Sequence, residues 1–496
     1  MEPATNARSL IDAVLARVAA HYPLLPLGWA DGVLRVAMSE PPDVRVKDEL
    51  RVLLGAAVAV ETRPREDIER GLKDLYGIGA ATLESLTRGS PAILPDAAVA
   101  HNIERGPDAS VVKLVNQILL EAYAARATDV HLEPYGDDLR VRYRIDGVLY
   151  DAKFAGSLQS LAAAVVSRVK IMADLSIAEK RLPQDGRFKV TFGGKQLDLR
   201  VSTLPTPFGE AVVVRLLSEE HHLDLAGLGF FGPDLSTLSS FLERPHGVLF
   251  LTGPTGSGKT TSLYAFLNRL NTPERKIITL EDPIEYQLRG ITQVQMNPRV
   301  GLTFAAGLRS LLRHDPDVMM VGEVRDLETA EIAIRVSLTG HRVFSTLHTN
   351  DAPSAITRLL DLGLEPYLVA SSITGIVAQR LVRLVCGECR REATITPLIE
   401  RHFGALIVGE KRFFEGAGCK ACNGSGYRGR TVIYELLPVT EALRALVMER
   451  APAGKIREAA RAGGMKTLRQ CGWEKIAAGQ TTPSEVIRVT EREEGR

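Results

Sequence analysis

Apolar positions along this chain recur first with mixed, then with alternating, then with helix-and-strand periods, and each change of period marks a change of unit. Residues 9–20, SLIDAVLARVAA, place Leu10, Ile11, Val14, Leu15 and Val18 at helical spacing, and short mixed elements continue to about Tyr76. This predicts a small first domain over residues 1–80. Residues 81–107 are rich in Gly, Pro, Ser and Ala with weak periodicity, the composition of a linker. A second domain, 108–224, opens with the apolar-periodic helix VVKLVNQILLEAYAARA and continues into a hairpin whose strand LRVRYRI alternates strictly. Leu139, Val141, Tyr143 and Ile145 then face a core, Arg140, Arg142 and Arg144 face away, and Asp146-Gly147 makes the tight turn. A second hairpin flanks Gly193-Gly194, with Asp198, Arg200 and Ser202 on its polar side. From about Leu225 to the end, short apolar strands (GVLFL, KIITL, DVMMV, HRVFSTL) alternate with helices, the signature of a parallel α/β sheet.

The 496 residues exceed the roughly 250–300 at which a single core stops growing, which agrees with several domains. Apolar residues at 45% and charged residues at 24% are ordinary globular values. Lys and Arg together number 61 against 60 Asp and Glu, a net charge of +1, so no global field draws the protein to nucleic acid or anionic lipid. No run approaches the ~20 apolar residues of a membrane span, and MEPATNARSL lacks the basic-then-apolar layout of a signal peptide. A cytoplasmic protein is expected, with any membrane attachment made through partners.

Gly253, Pro254, Thr255, Gly256, Ser257, Gly258, Lys259 and Thr260 fit the GxxxxGK[ST] template in full, between a buried-type strand and the helix-forming TTSLYAFLNRL that begins near Thr261. Glycines at these positions let backbone N–H groups converge on phosphates, and the helix N-terminus adds its positive dipole end. Lys259 is then expected to reach the β and γ phosphates of ATP, and the Thr260 hydroxyl to ligate Mg²⁺. Hydrolysis further needs carboxylates at strand ends to orient water and hold the metal shell. Two sets qualify: Glu281-Asp282-Pro283-Ile284-Glu285 after one strand, and Glu323-Val324-Arg325-Asp326 after another, and spacing alone does not say which glutamate is the base. His341 and His348 bracket a further strand, which sets His348 at a carboxyl end near the γ phosphate.

The ordered set GPTGSGKT, ITLEDPIEY, LRHDPDVMMVGEVRD and TGHRVFSTLHTN resembles the secretion ATPases of type II secretion and type IV pilus assembly, over roughly residues 108–490. ATDVHLEP, RVRYRIDG, RLPQDGRF and LDLRVSTLPTPFGE are similar to that family's second N-terminal domain. The resemblance implies an α/β, multidomain fold: a P-loop, RecA-like ATPase domain over 225–496 with a zinc-binding insertion, preceded by two smaller α+β domains. It implies that Glu285 polarises the attacking water and that Glu323 helps hold Mg²⁺. It implies a homohexamer in which Arg187 and Arg200 act across subunits, with Arg309, Arg313 and Arg325 as further candidates. The implied partners are inner-membrane platform proteins: the cytoplasmic domain of an anchoring protein and a polytopic platform protein. The short N-terminal domain favours type II secretion over pilus extension. The rival classes are a nucleic-acid translocase, which the near-neutral charge opposes, and a nucleotide-gated scaffold without useful turnover.

Cys386-x-x-Cys389 and Cys419-x-x-Cys422 form two knuckles whose four thiolates suit tetrahedral Zn²⁺, although the 29 residues between the pairs exceed the usual ribbon gap. GCKACNGSGYRGR supplies the glycines that a tight metal turn needs. Residues 390–418 carry five Lys or Arg against four Glu, which is not a surface that tracks phosphates, so no nucleic acid is expected there. The resemblance implies that this subdomain, about 380–430, contacts the secretion machinery. Cys471 falls outside the pattern and reads as a helical core residue.

Overall fold

A computed structural model describes residues 22–76, 107–136, 138–154, 158–192, 195–217, 224–407 and 412–490, together with Val14, Val18 and Ala19. It divides into two compact units, residues 1–218 and 219–496. Among the described residues no helix is long and apolar enough to cross a membrane.

The first unit holds two separate apolar cores. In one, β1 (Leu24–Ala30) and β2 (Val33–Met38) pair antiparallel through Asp31-Gly32, both at positive φ, and β3 (Val58–Thr62) joins β2 in parallel. Helices Val44–Leu54 and Arg65–Tyr76 cover this sheet, burying Leu24, Leu34, Val36, Leu50 and Tyr76. Val14 and Val18 of the predicted first helix join that core, while Leu10, Ile11 and Leu15 lie outside the described residues, as does nearly all of the predicted linker.

The second core belongs to a six-stranded antiparallel sheet in the order β6-β5-β4-β9-β8-β7. Its strands are β4 (Ala127–Pro134), β5 (Leu139–Ile145), β6 (Val148–Asp151), β7 (Gln184–Phe192), β8 (Lys195–Thr206) and β9 (Gly209–Leu217). Strict alternation is why these residues form a two-faced sheet: Leu139, Val141, Tyr143, Leu197, Leu199 and Val201 are buried. Helices Pro107–Ala124 and Ala162–Met172 supply Leu114, Ile118, Val165 and Val169 to the same core. The β5–β6 turn uses Asp146 and Gly147, both at positive φ, as an Asp-Gly pair permits. The arginines that face away from the core are paired with acids on neighbouring strands. Arg140 grips Asp151 at 2.7 and 3.0 Å, Arg142 grips Glu133 at 2.8 and 2.7 Å, and Arg144 lies 3.8 Å from Asp129.

The second unit is built on a seven-stranded sheet in the order β12-β11-β13-β14-β10-β15-β18. The strands are β10 (Gly247–Thr252), β11 (Ile277–Glu281), β12 (Thr292–Gln295), β13 (Val318–Val321), β14 (Arg342–Leu347), β15 (Ile373–Val385) and, after the hairpin of β16 (Arg390–Thr394) and β17 (Arg412–Gly416), β18 (Tyr427–Pro438). All neighbours run parallel except β18, which is antiparallel to β15. The central strands are buried along their whole length because helices pack on both faces, so they read as continuous apolar runs. Val248 and Phe250 enter one layer of the core and Leu249 and Leu251 the other, each worth about 1.5–3 kcal/mol on full burial. The carboxyl ends of β10, β13 and β14 therefore lie side by side at one edge of a rigid platform.

Candidate functional site

β10 ends at Thr252, and the chain turns through Gly253–Gly258 into the helix Lys259–Leu270. The turn needs its glycines. Gly253 sits at φ 148°, where an added Cβ would stand 2.6 Å from both the Gln379 carbonyl oxygen and Ser257 Oγ. Gly258, at φ 88°, forms the corner into the helix. Gln379 Nε2 donates to the Ser257 carbonyl at 2.9 Å, and the Thr349 N–H donates to Thr252 Oγ1 at 2.8 Å, so neighbouring strand ends brace the loop on both sides.

Lys259 is half-buried and donates to the Gly253 and Pro254 carbonyls at 2.7 and 3.1 Å. Burial pushes its ammonium down to about 8, Glu323 pulls the other way, and the Arg380 charge adds to the fall. A concave run of backbone N–H groups, a helix N-terminus, a partly desolvated lysine and a buried Ser257 Oγ with no partner among the described residues together suit a polyphosphate.

Glu323 follows β13 by two residues, and only 13% of its side chain is exposed. Its carboxylate meets Arg325 at 2.5 Å and lies 3.6 Å from His348 Nε2, at the end of β14. Burial first, then the Lys259 charge, push the His348 imidazole below its ordinary value against the pull of Glu323. Three sequence candidates from three strand ends, Lys259, Glu323 and His348, are thus brought into mutual electrostatic reach. His341 is instead tied to its own turn, its Nδ1 lying 3.1 Å from Thr339 Oγ1 and 3.2 Å from the Val336 carbonyl.

The first acid set divides. Glu281 is buried, accepting from Thr279 Oγ1 at 2.5 Å, Gln293 Nε2 at 3.0 Å and, more closely still, the Tyr264 hydroxyl. That leaves it a structural anchor between the P-loop helix and β11. Glu285 lies farther along the loop, its backbone N–H bonded to the Tyr264 hydroxyl at 3.3 Å. Thr260 and Thr261 stand in the first turn of the P-loop helix. Arg309 pairs with Glu328, and Arg313 bonds back to the Arg309 carbonyl at 3.1 Å.

In the first unit Arg187 and Arg200 occupy opposite positions on β7 and β8, and Arg200 in turn opposes Arg215 on β9. Arg215 donates to Asp129 at 2.9 Å. Like charges placed opposite one another on neighbouring strands repel, and Asp129 offsets this at the Arg215 end of the row.

The four cysteine sulfurs lie within 4.8 Å of one another. Cys386 to Cys419 and Cys389 to Cys422 are each 3.8 Å, and Cys419 to Cys422 is 3.7 Å. Sulfurs held about 2.3 Å from one tetrahedral ion stand about 3.8 Å apart, so the residues fit zinc. Burial alone would raise the Cys422 thiol, but N–H groups of Cys419 and Gly426, at 3.1 and 3.2 Å, outweigh it and bring it to about 6. The knuckle closes because Gly416 and Gly426 touch backbone to backbone, with no room for a Cβ on either. Cys471, wholly buried in the helix Leu468–Ala477, stays outside the cluster.

A parallel sheet whose adjoining strand ends carry a phosphate loop, an acid and a histidine defines a P-loop ATPase. The family described as type II/IV secretion system protein matches residues 104–488, and the chain belongs to it. The MshEN domain matches residues 2–82. The chain is 45% identical over 488 residues to the type II secretion system protein E of Xanthomonas campestris pv. campestris, covering 97% of this chain and 85% of that protein. It is 44% identical over 494 residues to the type IV pilus assembly ATPase PilB of Myxococcus xanthus, covering 96% and 86%. The fold is shared with the Legionella pneumophila ATPase DotB at a TM-score of 0.56 and 20% identity, covering 80% of this chain and 97% of that one.

Sequence reasoning missed Gln379, which bonds the phosphate loop at Ser257, and Arg380, which bonds Asn350 two residues beyond His348. Each lies on a strand with no motif of its own, and nothing in the local pattern marks it as bracing the site.

Proposed function

We propose that this chain is the ATP-hydrolysing motor of a type II secretion system, working as a homohexamer that drives pseudopilus assembly beneath inner-membrane platform proteins. The observation that carries the reading is the convergence of Lys259, Glu323 and His348 at the ends of β10, β13 and β14. Lys259 leaves its loop carbonyls to bind the β and γ phosphates. Loop N–H groups from Gly253 to Thr261 hold the rest of the polyphosphate. Magnesium, when bound, supplies charge neutralisation on the phosphate oxygens, and Thr260 and Glu323 would hold it. Glu285 orients the attacking water, and His348 keeps the Glu323 carboxylate in place. Arg187 and Arg200 act on the nucleotide of a neighbouring subunit, and Arg309, Arg313 and Arg325 are further contacts of the ring.

On this reading residues 1–80 dock the partner, 81–107 link, 108–224 form the second domain and 225–496 the ATPase domain. The cysteine cluster is structural: four thiolates leave no open position for water, so zinc there would order the 386–426 excursion and generate no nucleophile. The motor is attached to the inner membrane only through its partners.

A second reading, pilus assembly, is favoured by the near-equal identity to PilB. The deciding experiment deletes the gene in its host and restores wild-type or Lys259→Ala protein. Loss of exported proteins from the medium, recovered only with wild type, supports the first reading. Loss of surface pili with export intact transfers the motor to the second. Purified wild-type chain that neither binds nor hydrolyses ATP defeats both.

A further inference from the structure

The end of β14 that carries His348 runs into a short loop, 348–351, which is tied down on both sides. Behind, the Thr349 N–H holds it to Thr252 at the end of β10. Ahead, Asp351 caps the helix Ala352–Asp361, accepting from the Ser354 N–H at 2.8 Å. The Ala352 N–H points elsewhere, donating to Glu435 Oε2 at 2.9 Å. Glu435 stands on β18 opposite Ala378 of β15 and is only 5% exposed. Its second oxygen, Oε1, accepts at 3.2 Å from the N–H of Leu468, the first residue of the helix Leu468–Ala477. One buried carboxylate therefore joins the first N–H groups of two helices, one that continues the histidine loop and one from the C-terminal part of the chain.

A helix N-terminus offers N–H groups without intrahelical acceptors and a positive dipole end, so an ionised carboxylate satisfies two such ends at once. An amide or a protonated acid does not, because one of its two ends then carries a donor that faces an N–H. Asp351 and Arg457 of the helix Ala453–Ala462, which pair with each other, are the charged groups facing Glu435 from the helical side. Arg380, two residues past Ala378 on β15, bonds Asn350, while Arg469 and Lys475 of the helix Leu468–Ala477 bond at Thr490 and Gly229. Burial, helped by the Asp351 charge, pushes the Glu435 carboxyl up to about 7 against its two N–H bonds and Arg457.

We infer that Glu435 is a positioning residue for hydrolysis: its ionised carboxylate locks the loop that presents His348 to the C-terminal helices by accepting one N–H from each side. The inference rests on the proposed role of His348 beside Glu323. With either bond lost, the loop is held only at Thr349, and His348 loses its fixed place at the Glu323 carboxylate.

The test measures turnover at saturating magnesium ATP, and binding of AMP-PNP, on the full chain as wild type, Glu435→Gln, His348→Ala and the double variant. Glu435→Gln should lower turnover by about tenfold or more, with AMP-PNP affinity changed by less than about twofold. Because Glu435 acts through the histidine loop, the double variant should be no slower than His348→Ala alone. Wild-type turnover in Glu435→Gln, equal losses of turnover and affinity, or losses that multiply in the double variant would each overturn the inference. A pH profile adds a readout that packing alone would not move. Wild-type turnover should fall as pH drops through about 7, where protonation removes one of the two bonds. Arg457→Ala removes the cation that favours the ionised form and should move this acid limb to higher pH. Asp351→Asn keeps a cap oxygen for Ser354 but removes the opposing anion, and should move the limb lower. A limb that neither variant moves overturns the inference, and decides the matter if Glu435→Gln does not fold. Wild-type turnover in His348→Ala removes that residue's role and the inference with it, whereas wild type that hydrolyses no ATP defeats the proposed function as a whole.

Discussion

Binding of magnesium ATP near pH 8 should draw protons from solution, in an amount set by one side chain. Among the described residues Lys259 donates to two loop carbonyls, and burial, opposed by Glu323 and aided by Arg380, holds its ammonium near 8. About half of the molecules then carry a neutral amine near pH 8, about one tenth near pH 7, and almost none near pH 6. Phosphate oxygens within bonding distance keep the amine charged, so binding should take up about 0.5 proton per site near pH 8 and about 0.1 near pH 7. Titration calorimetry in buffers of different ionisation enthalpy reads this uptake directly. Burial first, and the Lys259 charge next, hold His348 below its ordinary value, so it is neutral near pH 8. Uptake indistinguishable from zero near pH 8, or equal near pH 8 and pH 6.5, would refute the placement of a desolvated Lys259 beside the phosphates. The same shift has a stability sign. Because the folded value lies below that of a free lysine, the ligand-free fold is penalised below about pH 8, and the penalty fades as pH rises toward about 10.5.

Glu323→Gln and Glu285→Gln keep shape and lose charge, so each should lower turnover by about a hundredfold or more while sparing nucleotide binding, and wild-type turnover in either would remove it from the mechanism. Arg187→Ala and Arg200→Ala should each lower hydrolysis with little change in melting temperature, as expected of residues that act across the ring; a clear drop in melting temperature would make the pair structural. Cys419→Ser should abolish a stoichiometric zinc, one per chain by elemental analysis, with ADP binding preserved, and loss of ADP binding would tie the cluster to the ATPase site. Tyr264→Phe leaves the buried Glu281 carboxylate one donor short and should cost about 1–3 kcal/mol in urea unfolding, whereas an unchanged midpoint would mean that Thr279 and Gln293 suffice.

The first domain and the helix that opens the second show how far local pattern carries. Val14 and Val18 enter a core as their helical spacing predicts, and the helix expected to open the second domain begins at Pro107, a few residues earlier than its apolar run. Strands β5, β7, β8, β10, β11, β13 and β14 were legible because burial on one face or on two writes period 2 or a continuous apolar run into the chain. The arginines of β5 were read correctly as facing away from the core, but their pairing with Asp151, Glu133 and Asp129 was not, since strand register places those acids and no linear spacing reports it.

By itself the sequence determined the phosphate loop, because that function needs glycines, a lysine and a threonine in one contiguous turn. It also singled out the four cysteines as a candidate metal set, and sulfur distances of 3.7–3.8 Å are compatible with one. Only the tertiary structure decided which carboxylate faces the lysine. Glu281 and Glu323 both follow buried strands, yet Glu281 is sealed by Tyr264 and Glu323 is turned toward Lys259 and His348. Gln379 likewise reached the phosphate loop only when β15 paired with β10, more than a hundred residues earlier in the chain. Contiguous chemistry can be read from a string because covalent geometry fixes it, whereas charges from separate strands meet only after sheet order and register bring their ends together.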